Sequence, residues 1–156
     1  MKKKGDQLPD FSFKTSAGET YRLSELKDRN GVIFFFYPGD FTPGCTKEVC
    51  YFRDSFGDLQ QEGAAIFGIS LDSDEKHEKF REAYQLPFAL IADHDKSLSK
   101  TFGVLRLGGF LKVRRATFVV DPKKMEIAEA FSNEFNMHVH AERALDIVKV
   151  LKGAAA

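Results

Sequence analysis

The sequence predicts an α/β protein with a mixed central β-sheet flanked by helices. Two segments and their order carry the prediction. The run Val32-Ile33-Phe34-Phe35-Phe36-Tyr37, between Gly31 and Pro38, has the continuous apolar character of a strand buried on both faces. Ala64 to Ile69 repeats that character after a helical stretch. Strands alternate with helices in the first half, and a hairpin plus a helix close the second, an order that builds a mixed sheet covered on both faces.

The elements follow in order. Segments 11–15 and 20–23 straddle Ser16-Ala17-Gly18-Glu19 and read as an N-terminal β-hairpin. After the strand at 32–37, Thr42 is a suitable N-cap and Pro43 suits the first helical position, where a missing N–H costs nothing. Val49, Phe52, Phe56 and Leu59 then share one helical face, and Gly63 stops the helix. Ser73 caps a second helix with Asp74 and Glu75 in its first turn, ending near Tyr84. Phe88 to Ile91 reads as a short strand, and Ser97 to Phe102 as a short helix ended by Gly103. Arg115 to Val120 and Met125 to Phe131 alternate as an antiparallel pair. The last helix carries Ala141, Ala144, Leu145, Val148 and Leu151 on one face. This order suits a thioredoxin-like fold with the hairpin as an N-terminal extension, in a single domain over 1–156 whose residues 153–156 form a frayed tail.

Composition excludes several classes of function. Basic and acidic residues number 23 each, so the chain lacks the basic excess of a nucleic-acid binder. The triplet Lys2-Lys3-Lys4 reads as a solvated terminus. The longest apolar run is too short to cross a bilayer, and the N-terminus lacks the apolar stretch of a signal peptide. Two cysteines do not make a disulfide scaffold, so the expected compartment is reducing and cytoplasmic, with an organelle after loss of a transit peptide as the alternative. The 16 Phe and absent Trp point to no function.

Cys45 and Cys50 are the only cysteines, and their spacing fits neither Cys-x-x-Cys nor a structural zinc pattern. If the helix starts at Thr42, Cys45 lies in its first turn, where unpartnered N–H groups and the helix dipole favour a thiolate. Five residues along a helix give a rise of ~7.5 Å and a rotation of ~140°, which separates the Cα atoms by about 8.6 Å. A disulfide requires Cα atoms within about 7 Å, so bonding would require the helix start to unwind.

These residues carry a resemblance. Pro38-Gly39-Asp40-Phe41-Thr42-Pro43-Gly44-Cys45 resembles the peroxiredoxin active-site pattern, and the added Cys50 resembles its PrxQ, or bacterioferritin comigratory protein, branch. LPDFSF near the start, FGISLDS at 67–73, LPFALIADHDKSLSKTFGV at 86–104 and RATFVVD at 115–121 are similar to that branch in order and spacing. The likeness spans residues 6 to 152.

The resemblance implies a thiol peroxidase that uses no cofactor and no metal. Cys45 matches the cysteine that attacks a hydroperoxide and becomes a sulfenic acid. Cys50 matches the resolving cysteine, which closes an intramolecular disulfide. Thr42 matches the threonine that contacts thiolate and peroxide, Pro38 the shielding proline, and Arg115 the polarising arginine. Glu48 matches a supporting carboxylate turned towards that arginine, although by itself it reads as a solvated helix residue. The implied partners are a hydroperoxide and a thioredoxin- or glutaredoxin-like reductant, with no nucleic acid and no membrane, and a monomer is expected. Arg114 adjoins Arg115, and strand alternation lets only one of them face the site. The turn Pro122-Lys123-Lys124 lacks the family's glycine. The apolar segment 105–111 reads as a pocket-lining loop, an interaction patch or a loop packed on the core. Other readings are a thiol–disulfide exchanger on the same fold, an interaction module using 105–111, and a metal site of Cys45, Cys50, His77, His94, His138 and His140, which no spacing supports.

Overall fold

The computed structural model describes residues 1–106 and 113–155. Most of the segment 105–111 therefore lies outside the described residues. The chain forms β1 (Ser12–Lys14), β2 (Thr20–Arg22), a 3-10 turn (Leu23–Leu26), β3 (Gly31–Phe36) and α1 (Pro43–Gln61). It continues with β4 (Ala64–Ser70), α2 (Asp74–Tyr84), β5 (Ala89–Ala92) and α3 (Ser97–Phe102), and ends with β6 (Ala116–Asp121), β7 (Glu126–Ser132) and α4 (His138–Ala155). A five-stranded sheet has the order β5-β4-β3-β6-β7. β3 runs parallel to β4 and antiparallel to β6, with Ile33 opposite both Ile66 and Val119.

The central strand divides the interior as its unbroken apolar run predicts. Ile33, Phe35 and Tyr37 point to one side, among Val49, Phe52 and Leu59 of α1, Phe80 of α2 and Ala144 and Val148 of α4. Val32, Phe34 and Phe36 point to the other, among Phe13 of the hairpin, Leu98 and Phe102 of α3 and Phe118 of β6. The phenylalanines build both layers. Phe35 stacks on Phe52 at 4.2 Å between ring centroids, which fixes α1 on the sheet.

Ser73 caps α2 as predicted, its hydroxyl accepting from Lys76 N at 3.2 Å. The N-terminus differs from expectation. Lys3 and Lys4 are exposed, but the backbone is docked: Lys2 N donates to Phe102 O at 2.9 Å, and Gly5 N to Ile127 O at 2.8 Å. This segment covers the edge of β7, whose unpaired backbone groups would otherwise need water. α4 also runs to Ala155 and so takes up residues expected to fray. At the glycine-free turn before β7, Met125 adopts the left-handed conformation (φ 54°) that a glycine would supply.

Gly68 lies opposite Phe35 in the register of β3 and β4. A Cβ there would stand 2.7 Å from both Phe35 Cζ and Leu90 Cδ2. Both rows of side chains are buried, so neither can yield cheaply. Gly68→Ala is expected to destabilise the fold by about 1–3 kcal/mol, read as a lowered urea midpoint at unchanged slope.

Candidate active site

The site forms where β3 hands the chain to α1. Tyr37 ends the apolar run, and its N–H still donates to Ile69 O at 3.0 Å. The following loop is stapled from below by Asp40, which is 2% exposed. Its N–H donates to Asp72 Oδ2 at 2.7 Å, and its own carboxylate accepts from the Tyr37 hydroxyl at 2.6 Å. The other carboxylate oxygen is 2.6 Å from His77 Nδ1, while His77 Nε2 is 3.0 Å from Ile91 O. Burial, and then the adjacent Asp40, push the Tyr37 pKa well above its ordinary value, so its hydroxyl stays a donor. Phe41 follows with a left-handed backbone (φ 63°) and sets its ring edge-on against Phe80, 5.0 Å away.

Thr42 takes the N-cap position with an extended backbone, as predicted, but its side chain does not cap. The hydroxyl donates instead to Gly39 O at 2.9 Å, closing the loop on itself. The first-turn N–H groups of Gly44 and Cys45 thus receive no cap from Thr42 and face outward from the helix start. Pro43 and Thr42 are exposed, and Pro38 is half-buried. Cys45 is fully buried and Cys50 partly buried, both as free thiols on the same uninterrupted helix. Burial pushes the Cys50 thiol up.

Arg115 reaches this helix start from the residue before β6. It is 6% exposed, while Arg114 points to solvent, which resolves the choice between them. Its guanidinium lies against Gly44, where a Cβ would stand 3.1 Å from Arg115 Nη2. The glycine before Cys45 therefore makes room for the cation. Burial works against the charge of Arg115, but Glu48 and Cys45 beside it outweigh that and raise its pKa.

Glu48 corrects the reading of it as a solvated helix carboxylate. It is fully buried, and its Oε1 accepts from Arg115 Nη1 at 3.0 Å. This is the orientation that the family resemblance implies. Burial raises its pKa to about 8, a shift that Arg115 opposes and Glu134 adds to. Glu134 holds Arg115 from the other side, accepting from its backbone N–H at 3.1 Å.

Thr117 and His140, like Glu134, escape the sequence reading as site residues. His140, fully buried on α4, has Nδ1 2.6 Å from Thr117 Oγ1 and Nε2 2.9 Å from Asn133 O. Thr117 was visible in the Arg-x-Thr-Phe pattern only as a marker for Arg115, and His140 only as a metal-ligand candidate. The histidines do not converge on the cysteines. His77 pairs with Asp40, His94 is largely exposed beside Asp74, and His138 lies against Tyr51.

A buried cysteine in an uncapped first helical turn, with a buried guanidinium beside it, is an arrangement for holding negative charge on sulfur and on an oxygen next to it. The known proteins that share the sequence bear on this geometry. The AhpC/TSA family matches residues 4–129. The chain belongs to that family. Peroxiredoxin Bcp of Bacillus subtilis is 37% identical over 150 residues, covering 93% of this chain and 94% of that one. The chloroplastic peroxiredoxin Q of Sedum lineare is 39% identical over 150 residues, covering 96% of this chain and 79% of that one. Among solved structures, peroxidoxin BcpB of Mycobacterium tuberculosis superposes with a TM-score of 0.88 at 38% identity, covering 96% of this chain and 98% of that one. The Xanthomonas campestris bacterioferritin comigratory protein, studied for alkyl peroxide reduction, gives 0.84 at 27% identity, covering 94% and 99%. The thioredoxin-like sheet and the Bcp and PrxQ branch expected from the residues are those of these peroxiredoxins.

The raised pKa of Glu48 has a signed effect on the stability of this peroxiredoxin. The unfolded chain releases the Glu48 proton near 4.5, whereas the native state keeps it to about 8. The stabilisation linked to that proton is complete below about 4.5 and lost as pH rises through about 8. Glu48→Gln is therefore expected to gain stability relative to the wild type across that window. Urea unfolding in excess reductant at several pH values measures it, and a pH-independent difference would mean that Glu48 titrates normally.

Proposed function

We propose that Cys45 is the peroxidatic cysteine and Cys50 the resolving cysteine of a thiol-dependent peroxidase. The reaction class is that of the family and of the Bcp and Q relatives. The single observation that carries the assignment is Arg115, buried, lying against Gly44 and paired with Glu48 at the helix turn that holds Cys45. The Cys45 thiolate attacks one oxygen of the hydroperoxide and the O–O bond breaks. Sulfur leaves as sulfenic acid, and the other oxygen leaves as water or an alcohol after taking up a proton. Arg115 and the first-turn N–H groups stabilise the negative charge on the departing oxygen. The Thr42 hydroxyl has its proton on Gly39 O, so its oxygen is the acceptor for the peroxide O–H. Pro38 shields the thiol at the mouth of the loop.

Cys50 then condenses with the sulfenic acid, releasing water and forming an intramolecular disulfide. A thioredoxin- or glutaredoxin-like dithiol reduces it in turn. Because both sulfurs belong to one chain, the cycle needs no second subunit, and we assign a monomer as the working unit. Among the described residues no helix is long and apolar enough to cross a membrane. We place the cycle in a reducing compartment, cytoplasmic or, as for the chloroplastic relative, within an organelle.

Cys45→Ser is expected to abolish peroxide consumption. Cys50→Ser is expected to reduce one equivalent and stop at the sulfenic acid when no outside thiol is present. Full turnover by Cys45→Ser in a coupled thioredoxin assay would overturn the assignment.

The disulfide also has a structural cost. An intact α1 holds the two Cα atoms about 8.6 Å apart, beyond the reach of a disulfide. Oxidation with one equivalent of hydrogen peroxide is expected to lower the helical circular dichroism and to open 43–52 to proteolysis. Identical digests of the two redox forms would contradict the unwinding step.

A further inference from the structure

Beneath Arg115 lies a buried group that the peroxidase cycle does not use. Glu48 Oε1 is engaged by Arg115, but Oε2 is buried and has no hydrogen bond among the described residues. It faces His140 Nδ1 at 3.4 Å, and both side chains are fully buried. His140 Nε2 sits 2.9 Å from a backbone carbonyl, which can only accept, so Nε2 carries a hydrogen. That leaves Nδ1 bare in the neutral ring. A bare Nδ1 facing a carboxylate oxygen, both shut off from water, would set lone pair against lone pair. One proton removes the conflict, whether it sits on Glu48 or on the ring. The Thr117 hydroxyl, 2.6 Å from Nδ1, suits either placement because it can donate to a bare nitrogen or accept from a protonated one.

We propose that Glu48 and His140 share one proton beneath Arg115, and that His140 is a positioning residue whose hold on that proton decides how much of the arginine's charge is left for Cys45. The inference rests on the assignment of Cys45 as the attacking residue. With the proton present, the Glu48–His140 pair is neutral overall and Arg115 is free to serve the sulfur and the departing oxygen. With the proton gone, the pair becomes an anion bonded to Arg115 and competes for the same guanidinium.

Among the described residues, the charged and titratable groups around the pair are few. Arg115 approaches from the start of β6 and Cys45 from the same face of α1. Glu134 acts from the turn after β7 and is itself paired with Arg106. Arg143 acts from α4, with its guanidinium 4.4 Å from the Phe131 ring centroid, and that ring flanks His140. Burial lowers the His140 pKa, and Arg115 and Arg143 lower it further against the pull of the Asn133 carbonyl and Glu134. The proton therefore resides mainly on Glu48, and its loss is expected at about pH 8.

The test is the second-order rate of reduced protein with hydrogen peroxide from pH 6 to 9.5 by stopped flow, with iodoacetamide alkylation of Cys45 as the control. The peroxide rate is expected to fall on an alkaline limb near pH 8 while alkylation does not fall. His140→Leu removes the proton's second site and is expected to move the limb down by about one pH unit, the size of one hydrogen bond to the protonated form. His140→Asn, which keeps an acceptor near the position of Nδ1, returns it towards the wild-type value. Glu48→Gln, with a permanent N–H, shows no limb. A wild-type rate that does not fall, or a limb unmoved in His140→Leu, overturns the proposal. Should the leucine variant not fold, carbon-13 NMR of labelled wild-type protein decides: a Glu48 carboxyl midpoint near pH 8 supports the shared proton, and one below pH 5 overturns it. That titration needs no turnover. A peroxidase assignment that fails shows instead as missing peroxide consumption while the NMR midpoint stands.

Discussion

The buried contact between Arg115 and Glu48 is the constraint around which the helix start is arranged. Two ionisable groups taken out of water cost several kcal/mol each, and only close pairing offsets that. The pairing dictates the neighbours. Residue 44 is a glycine because a Cβ would meet the guanidinium, and Glu134 closes the opposite side of the arginine. The Phe35–Phe52 stack, one helical turn beyond Glu48, holds α1 against the sheet on the side from which Glu48 meets the arginine. The apolar packing thus fixes the charge geometry, and the charge geometry fixes what surrounds Cys45.

The same helix start has to meet opposite demands. Reaction with peroxide requires a rigid first turn, because only held N–H groups and a held cation stabilise charge without reorganisation. Disulfide formation requires that turn to open. The structure separates the two requirements along the chain. Upstream, the loop is pinned by Asp40 to Tyr37, Asp72 and His77. Downstream, Phe52 is pinned to Phe35. Between these anchors lie both cysteines and Glu48, so the unwinding proposed to bring Cys50 to Cys45 would also draw Glu48 away from Arg115. The Arg115–Glu48 hydrogen bond favours the folded helix, and the local strain of Phe41 at a positive φ favours release.

Local signals carried most of the fold. The double-faced strand was legible in the run from Val32 to Tyr37, the α2 cap in Ser73, and the start of α1 in Thr42-Pro43. Each depends on residues a few positions apart. The placement of Cys45 and Cys50 on α1 and of Arg115 against Gly44 was legible where a local motif carried it. What stayed hidden depends on distant partners. Asp40 and His77 are 37 positions apart, and the Glu48–Arg115 contact across 67 positions came from the family resemblance and not from Glu48 itself. A glutamate on a helix looks solvated until the strand that covers it is known. Thr42 misled for a different reason. Its position is that of a cap, but the Gly39 carbonyl lies closer to hand for its hydroxyl than the helix N–H groups.

That misreading bears on the chemistry. A capping hydroxyl would have occupied the first-turn N–H groups and reduced their value for an anion. By turning its hydroxyl to Gly39, Thr42 leaves those donors to the sulfur side of the helix and directs an oxygen lone pair outward. The donor set at the helix start then consists of backbone N–H groups, which carry no charge, and one guanidinium, which does. Backbone donors are unaffected by pH. Among the described residues, the pH dependence of the proposed site therefore rests on the arginine, and the arginine's share depends on the carboxyl group beneath it. A buried acid is a more sensitive control near neutral pH than an exposed one, since burial brings its titration from the acid range to about 8.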